Sequence, residues 1–271
     1  SRGLGDVYKR QPQSLLDEFV EIYVTNETEG GEYGALAHLA PAMTEDEAYA
    51  VQFAAIDRLI EMGATSTGKK IAATNAATQE MLGLSESAYG ELLDSTEIAN
   101  GGSVSATRFA NGRVECELAF KLARPLQGPG VGPADVLAAT EAVYPALELA
   151  DLRTTGWPLS RAEVICYNGL AKHYILADEG IAPAGLDLIA QTVTLHNGGE
   201  MVAEGTGEAV LGDPVGAVAW LANKMVEHER GLQAGDIVLT GSMTPPLPFA
   251  AGDEFEADFT GLGKVAICIT G

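Results

Sequence analysis

Two glutamates, Glu115 and Glu117, stand two residues apart in the segment VECEL (114–118). A turn-like Asn-Gly pair precedes the segment and an apolar run follows it, which predicts a β-strand. Alternate side chains of a strand point to opposite faces, so both carboxylates share one face and Cys116 points to the other. Two carboxylates about 4 Å apart repel by roughly 4 kcal/mol at an effective dielectric constant of 20. The pair therefore requires water, a shared proton or a cation.

A third glutamate, Glu148, interrupts the otherwise apolar run PALELA (145–150). Three carboxylates without His or Cys form an all-oxygen ligand set, which suits Mg²⁺, Mn²⁺ or Ca²⁺ better than structural zinc. A solvated strand face and an outward-facing Glu148 would explain the same pattern without a metal. Spacing alone leaves both interpretations open.

The elements that must position these residues follow from apolar periodicity and from capping signals. A capping box, Thr44 with Glu47, begins a helix that ends near Gly63. Other predicted helices cover 14–24, 74–82, 133–143 and 213–229, and predicted strands cover 69–72, 113–123, 145–150, 237–240, 254–259 and 264–270. Strands dominate the second half and the helices are few and separate. This arrangement favours an α+β fold with a mainly β core.

The chain divides into three stretches that differ in their sequence pattern, but it is expected to form one domain overall. Residues 1–11 show no periodicity and are interpreted as a disordered lead-in. Residues 12–67 form an N-terminal helical region, and residues 68–271 form a mixed-β catalytic core.

Composition excludes several classes of protein. Thirty-eight acidic residues oppose 16 basic ones, a net charge of −22 that argues against nucleic-acid binding. No stretch approaches the roughly 20 apolar residues of a membrane span, and no apolar secretory signal is apparent. The three cysteines lie outside any CxxC motif or Cys/His cluster, which is typical of free thiols in a reducing compartment. A cytoplasmic location is therefore expected.

Several motifs resemble those of the 2-keto-4-pentenoate hydratase/4-oxalocrotonate decarboxylase family, within the fumarylacetoacetate hydrolase superfamily. They are KKIAATN (69–75), VECELAF (114–120), PLQGPG (125–130) and GDIVLTGSMTPPLPFAAGDEFEADFTGLG (235–263). The resemblance implies a rolled mixed-β sheet flanked by an N-terminal helical region. It also implies a Mg²⁺ or Mn²⁺ cofactor, a homo-oligomer, and short 2-oxo or 2-hydroxydienoic acid substrates from aromatic catabolism.

Carried over residue by residue, the resemblance makes Glu115, Glu117 and Glu148 the metal ligands. Lys70 falls on the family's active-site lysine, although Ala-Ala follows where the family usually has Gly-Leu. Further positions are implied as catalytic or substrate-binding residues: Asn168, Tyr89, Thr240 and Gly241.

Segment 166–170 departs from the family pattern. Cys-Tyr-Asn-Gly-Leu stands where the family usually reads Ala-Asp-Asn-Ala-Ser, so Tyr167 and Leu170 replace polar residues in the predicted substrate site. His173, close by, is a candidate to replace the lost acid–base group, and a packed structural histidine is the alternative.

The expected activity is a metal-dependent lyase, with hydration of a 2-keto-4-pentenoate-like substrate as the leading prediction. Decarboxylation of 2-oxo-3-hexenedioate is one alternative. Tyr89 and the motif PLQGPG resemble the decarboxylases of the family more than its hydratases. Acylpyruvate C–C hydrolysis is a second alternative, which requires a base such as His38, the one histidine upstream of Lys70. A metal-binding homologue with altered catalysis is the third.

Overall fold

The computed structural model describes residues 13–29, 43–75, 78–80, 84, 86–153 and 159–271. The predicted lead-in over 1–11 and His38 lie outside these residues. Residues 76–77 and 81–82 of the predicted helix over 74–82 also lie outside them. Within that segment residues 78–80 are helical, whereas Thr74 and Asn75 are not.

Apart from the helical residues 78–80, five α-helices occur in the described part of the chain: α1 (Gln13–Glu29), α2 (Glu45–Glu61), α3 (Pro133–Ala139), α4 (Arg161–Cys166) and α5 (Pro214–Met225). The capping box that begins α2 is present, with the Glu47 amide donating to the Thr44 hydroxyl and Thr44 N donating to the Glu47 carboxylate. Asp213 caps α5 by accepting from the Val215 amide. None of the helices within the described ranges is long and apolar enough to cross a lipid bilayer.

Thirteen strands form two sheets in the same part of the chain. Their bounds are β1 (Ser66–Ala72), β2 (Ala88–Leu93), β3 (Glu97–Ile98), β4 (Gly102–Ser105), β5 (Gly112–Leu122), β6 (Thr140–Asp151), β7 (Ala171–Leu176), β8 (Thr192–Asn197), β9 (Glu200–Thr206), β10 (Ile237–Ser242), β11 (Leu247–Pro248), β12 (Glu254–Phe259) and β13 (Gly263–Thr270). The larger sheet has the order β2-β1-β10-β5-β6-β7-β3, with β11 also pairing β5, and the smaller sheet has the order β4-β13-β12-β8-β9. Parallel and antiparallel pairs occur in both sheets, as the predicted mixed-β core requires.

The larger sheet curls so strongly that side chains of strands that are not neighbours meet across its concave face. Strands β10 and β5 separate β1 from β6. A flat sheet would hold β1 and β6 about 14 Å apart at 4.7–4.9 Å per strand. Yet Lys70 Nζ on β1 lies 3.1 Å from Glu148 Oε1 on β6. The sheet is therefore a half-barrel, which confirms the predicted fold class.

The two faces of the half-barrel carry different side chains. On the concave face, a small apolar cluster that includes Ala119, Tyr174 and Leu239 lies beside the ionisable residues. On the other face, core residues such as Cys116 and Leu147 belong to the large apolar cluster that also contains side chains of the N-terminal helices. The alternation of side chains along β5 thus separates the face that carries the ionisable residues from the face that packs in the main core.

One predicted helix ends early, and the strand after it begins early. The helix predicted over 133–143 stops at Ala139, and β6 begins at Thr140 rather than at residue 145. Pairing with β5 explains the difference, because Val143 lies opposite Phe120 and Ala142 lies opposite Lys121. Long-range strand pairing overrides the local helical pattern of this segment.

Candidate active site

The strand register brings the three glutamates together. Glu115 on β5 lies directly opposite Glu148 on β6, and Glu117 follows on the same face of β5. One carboxylate oxygen from each residue can be chosen so that all three atoms lie within 4.8 Å of one another. Directly opposed residues on antiparallel strands have Cβ atoms about 4.5–5.5 Å apart, so this clustering follows from the pairing itself.

The cluster lacks the internal partners that three buried carboxylates would need on their own. Glu117 and Glu148 are at most 1% exposed, whereas Glu115 is partly open to the neighbouring cavity. Glu117 Oε1 and Glu148 Oε2 accept no hydrogen bond from any described residue. Unpaired buried oxygens are costly, and a cation would compensate all of them at once. The hard, all-oxygen donor set fits Mg²⁺, Mn²⁺ or Ca²⁺.

The pKa values of the glutamates also indicate that the cluster binds a cation. Burial, followed by the charge of Glu148, raises the pKa of Glu115 to about 7, while Lys70 opposes the rise. Burial and Glu148 also raise the pKa of Glu117 well above its ordinary value. Protons therefore compete with a cation for these carboxylates near neutral pH.

A backbone amide of β10 orients Glu117. The Gly241 N–H donates to Glu117 Oε2 at 2.8 Å, and it does so from a backbone with φ of 102°. A Cβ at this position would lie 2.2 Å from Thr74 Oγ1. Only glycine fits both the left-handed conformation and the close approach, so Gly241 acts by holding a glutamate in place.

Lys70 completes the ionisable group at the base of the cavity. Its ammonium lies 3.1 Å from Glu148 Oε1 and donates to the Gly169 carbonyl at 2.8 Å. Burial alone would lower the pKa of Lys70, but the charges of Glu148, Glu115 and Glu117 outweigh it and raise the pKa. In the metal-free protein Lys70 is therefore a charged proton donor.

Asn168 holds the turn that supplies the Gly169 carbonyl. Its side chain accepts from the Glu91 amide at 2.6 Å and donates to the Glu91 carbonyl at 2.8 Å. Asn168, Gly169 and Leu170 all have positive φ angles, between 57° and 69°, a conformation that is rare for Asn and strained for Leu. The amide clamp stabilises this turn on β2. Asn168 therefore positions Lys70 and does not itself line the cavity.

The cavity above the cluster has a volume of about 560 Å³ and a mixed lining. Lys70, Glu115 and Leu170 line it, as the sequence predicts, and so do two residues that the sequence analysis did not single out, Arg113 and Ser242. Arg113 could have been found from the alternation of side chains along β5, because it precedes Glu115 by two residues. Ser242 could not, because its place depends on the pairing of β10 with Glu117 on β5.

The structure corrects four further expectations about the substrate site. Tyr89 points away from Lys70, which pairs with Gly90, and it stacks on Tyr49 with ring centroids 4.6 Å apart. Tyr167 is 1% exposed and packs in the core near Phe19.

Thr240 is fully buried, and its hydroxyl donates to the Leu118 carbonyl. His173 lies opposite Leu149 and so faces away from Glu148. Its Nδ1 is 3.1 Å from the Thr96 carbonyl oxygen, and burial lowers its pKa to about 4. The alternation of side chains between the two faces of a strand decides these placements. His173 is therefore not positioned to replace an acid–base group of the cavity.

Known proteins resemble the chain in both sequence and structure. Residues 74–270 match the family described as fumarylacetoacetate (FAA) hydrolase C-terminal. The 2-hydroxyhexa-2,4-dienoate hydratase of Comamonas testosteroni is 37% identical over 85% of this chain and 88% of that one. The 2-oxo-hept-4-ene-1,7-dioate hydratase of Escherichia coli is 38% identical over 83% of this chain and 87% of its own.

Among solved structures, 4-oxalocrotonate decarboxylase from Pseudomonas putida G7, complexed with magnesium and adipate, superposes with a TM-score of 0.91. It is 29% identical, and the match covers 96% of this chain and 98% of that one. The structural match covers nearly the whole chain, and the family match includes the two strands that carry the three glutamates. The chain belongs to the 2-keto-4-pentenoate hydratase/4-oxalocrotonate decarboxylase family of the fumarylacetoacetate hydrolase superfamily.

Proposed function

We propose that the protein is a divalent-metal-dependent lyase that acts on short 2-oxo or 2-hydroxydienoic acids, with hydration of a 2-keto-4-pentenoate-like substrate as its main reaction. The observation that carries the proposal is the juxtaposition of Glu115, Glu117 and Glu148 with Lys70 at the base of one cavity. The hydratase relatives support the reaction class. The proposed metal is Mg²⁺ or Mn²⁺, the proposed location is the cytoplasm, and the proposed assembly is a homo-oligomer.

Each residue of the site has a distinct part in this chemistry. Glu115, Glu117 and Glu148 would hold the cation, which when bound would be chelated by the 2-oxo acid and would stabilise negative charge on the ketone oxygen of that acid. Lys70 Nζ, which donates to the Gly169 carbonyl, would transfer the proton at C3 of the substrate. Gly241 keeps Glu117 in its ligand orientation through the amide hydrogen bond.

The cavity lining bears on the choice between water addition and simple proton transfer. Its ionisable residues, among those the structure describes, are Lys70, Arg113 and Glu115. Leu170 lines the cavity where the family usually has serine, so an ordered water, which needs two to four polar partners, has one partner fewer beside Leu170. Thr74, Thr78 and Ser242 supply hydroxyls elsewhere in the lining. Proton exchange at C3 should therefore be faster than hydration.

Decarboxylation is the second candidate, and the structural similarity to 4-oxalocrotonate decarboxylase favours it. Negative charge would again develop on the ketone oxygen, but here it would come from the C–C bond broken when a remote carboxylate leaves as CO₂, and no water would add to the alkene. Metal ligands and Lys70 serve both outcomes equally. The choice depends on the substrate offered and on water in the cavity.

An assay with two substrates separates the candidates. Purified protein would be given 2-hydroxypenta-2,4-dienoate or 2-oxo-3-hexenedioate, with Mg²⁺ or with EDTA, and deuterium uptake at C3 would be followed by NMR beside product formation. We expect metal-dependent turnover of the dienoate, with C3 exchange outpacing hydration. CO₂ release without hydration would assign the decarboxylase reaction, and exchange without any turnover would indicate a homologue with altered catalysis. Equal rates in Mg²⁺ and EDTA would refute the metal-dependent mechanism.

A further inference from the structure

The turn that offers the Gly169 carbonyl to Lys70 is held from two sides. Asn168 clamps the turn to β2, and Arg153 holds its far end, because the Arg153 guanidinium donates through Nη2 to the Ala171 carbonyl. Ala171 directly follows the three consecutive residues with positive φ angles. A strained turn persists only where its surroundings overdetermine it. Both contacts therefore help to keep the Gly169 carbonyl 2.8 Å from Lys70 Nζ.

Arg153 is itself fixed at the end of β6. Its side chain is fully buried, and its backbone has a φ of 54°, in the left-handed region that residues other than glycine rarely occupy. The buried Asp151 carboxylate accepts from the Arg153 amide at 3.2 Å and from the Asn111 amide at 2.8 Å. Asn111 lines the cavity. The residue that holds the turn is thus tied to a second loop of the same cavity.

Helix α1 supplies the counter-charge of Arg153. Glu27 Oε1 lies 2.5 Å from Arg153 Nη1, and Glu27 Oε2 lies 3.0 Å from Lys172 Nζ. Four residues earlier, Tyr23 has its ring centroid 5.4 Å from Arg153 Cζ and hydrogen-bonds with the side chains of Arg153 and Asn168. Residues four apart share one face of a helix. One face of α1 therefore contacts both residues that hold the turn.

Two buried cations pair with Glu27, but they differ in what else they contact. Lys172 donates to Glu27 and to the Asn26 carbonyl, both of which belong to α1. Arg153 instead bridges Glu27 to the Ala171 carbonyl. An ion pair that only docked α1 would not require this second contact. The bridge connects the helix to the turn and, through the turn, to the ammonium at the base of the cavity.

We propose that Arg153 is a positioning residue for the proposed reaction, and that α1 takes part in holding Lys70 through its contacts with Arg153. This inference rests on the proposed function, because Arg153 acts on the reaction only through proton transfer by Lys70. Loss of the guanidinium would release the Ala171 carbonyl and let the turn relax. The Gly169 carbonyl would then no longer fix the ammonium, so turnover would fall while substrate affinity would change little.

Two substitutions that each remove one buried cation from Glu27 provide the test. Arg153→Met breaks the bridge to the turn, whereas Lys172→Met leaves it intact and serves as the matched control. C3 proton exchange of 2-oxopentanoate in Mg²⁺ would be followed by NMR, and calorimetry would give the Mg²⁺ affinity. Amide hydrogen exchange of residues 168–171 would be measured by mass spectrometry in EDTA, which makes this readout independent of activity.

Arg153→Met should lower kcat for C3 exchange at least tenfold, with KM and Mg²⁺ affinity within threefold of wild type. Amide exchange of residues 168–171 should become at least tenfold faster. Lys172→Met should lower the melting temperature by a similar amount, because it also breaks a buried ion pair. Its kcat and its amide exchange in the turn should nevertheless stay within threefold of wild type.

Equal loss of kcat in the two variants would show that the network only docks α1, and would overturn the inference while leaving the proposed function intact. Unchanged amide exchange of the turn in Arg153→Met would overturn it as well. If the wild type showed neither metal-dependent C3 exchange nor turnover of the dienoate, the proposed function would fail. Amide exchange in EDTA would then still decide whether Arg153 holds the turn.

A conservative variant separates the charge of Arg153 from its bridging geometry. Arg153→Lys keeps a positive charge beside Glu27 but loses the planar guanidinium that reaches two acceptors at once. It should restore the melting temperature more completely than kcat. It also replaces Arg153→Met if circular dichroism shows that variant to be poorly folded. Full recovery of kcat in Arg153→Lys would contradict the bridging role.

Discussion

Lys70 is the residue that links the carboxylate cluster to the reacting carbon of the proposed substrate. Replacing it with Met removes the ammonium but keeps the volume of the side chain. We expect C3 proton exchange in saturating Mg²⁺ to fall by about 10²- to 10⁴-fold, the usual contribution of a positioned acid–base group. Metal affinity should be retained or increased, because a positive charge 3.1 Å from Glu148 is lost. NMR exchange rates and calorimetric Mg²⁺ titration measure the two effects separately.

The neighbouring lysine offers a matched control for this experiment. Lys69 lies on the opposite face of β1 and forms a buried ion pair with Glu91 at 2.7 Å. Lys69→Met should keep the exchange rate within a few-fold of wild type but lower the melting temperature, since Glu91 loses its partner. Comparable loss of exchange in both variants would contradict a specific role for Lys70.

Strand β5 is the element on which the site depends, because its two faces serve different purposes. Cys116 lies between the two glutamates in sequence, pairs with Leu147 and is fully buried in the core. Cys116→Ala should therefore cost about 1 kcal/mol in the free energy of unfolding. Mg²⁺ affinity should remain unchanged. Denaturant unfolding and metal titration would check both expectations. Loss of metal binding with stability preserved would contradict the assignment of Cys116 to the core face of β5 and of the glutamates to the other face.

The molecule as a whole should show metal-linked stability that depends on pH. The folded-state pKa of Glu115, about 7, lies above its ordinary value of 4.5. The stability that this group contributes is thus fully present below pH 4.5 and is lost as pH rises through about 7. A cation binds the deprotonated cluster, so Mg²⁺ should raise the melting temperature more at pH 8 than at pH 6.

Thermal unfolding in EDTA and in Mg²⁺, at pH 6, 7 and 8, would measure this dependence. Glu115→Gln should reduce the pH dependence of the melting temperature in EDTA. It should also reduce the increase in melting temperature that Mg²⁺ causes. The same Mg²⁺ gain at all three pH values would show that protons and metal do not compete for the cluster.

What the sequence by itself determined is local. The period of two in β5 predicts that Glu115 and Glu117 share a face and that Cys116 opposes them, and the capping box predicts the start of α2. The family motifs predict an α+β fold with a rolled mixed-β sheet and the lyase class, which the comparisons confirm. These features depend on the geometry of neighbouring residues or on sequence motifs, and both can be read directly from the order of residues in the chain.

What only the tertiary structure decided is which side of which strand each distant residue occupies. Curling of the sheet brings Lys70 to Glu148 across two intervening strands, and no local pattern encodes that closure. Strand pairing turns Tyr89 and His173 away from the cavity and brings Ser242 into its lining. A register shift of one residue would reverse each of these placements, because side chains alternate with every residue. Register arises from pairing between segments far apart in the chain, so the complete site became visible only in the folded molecule.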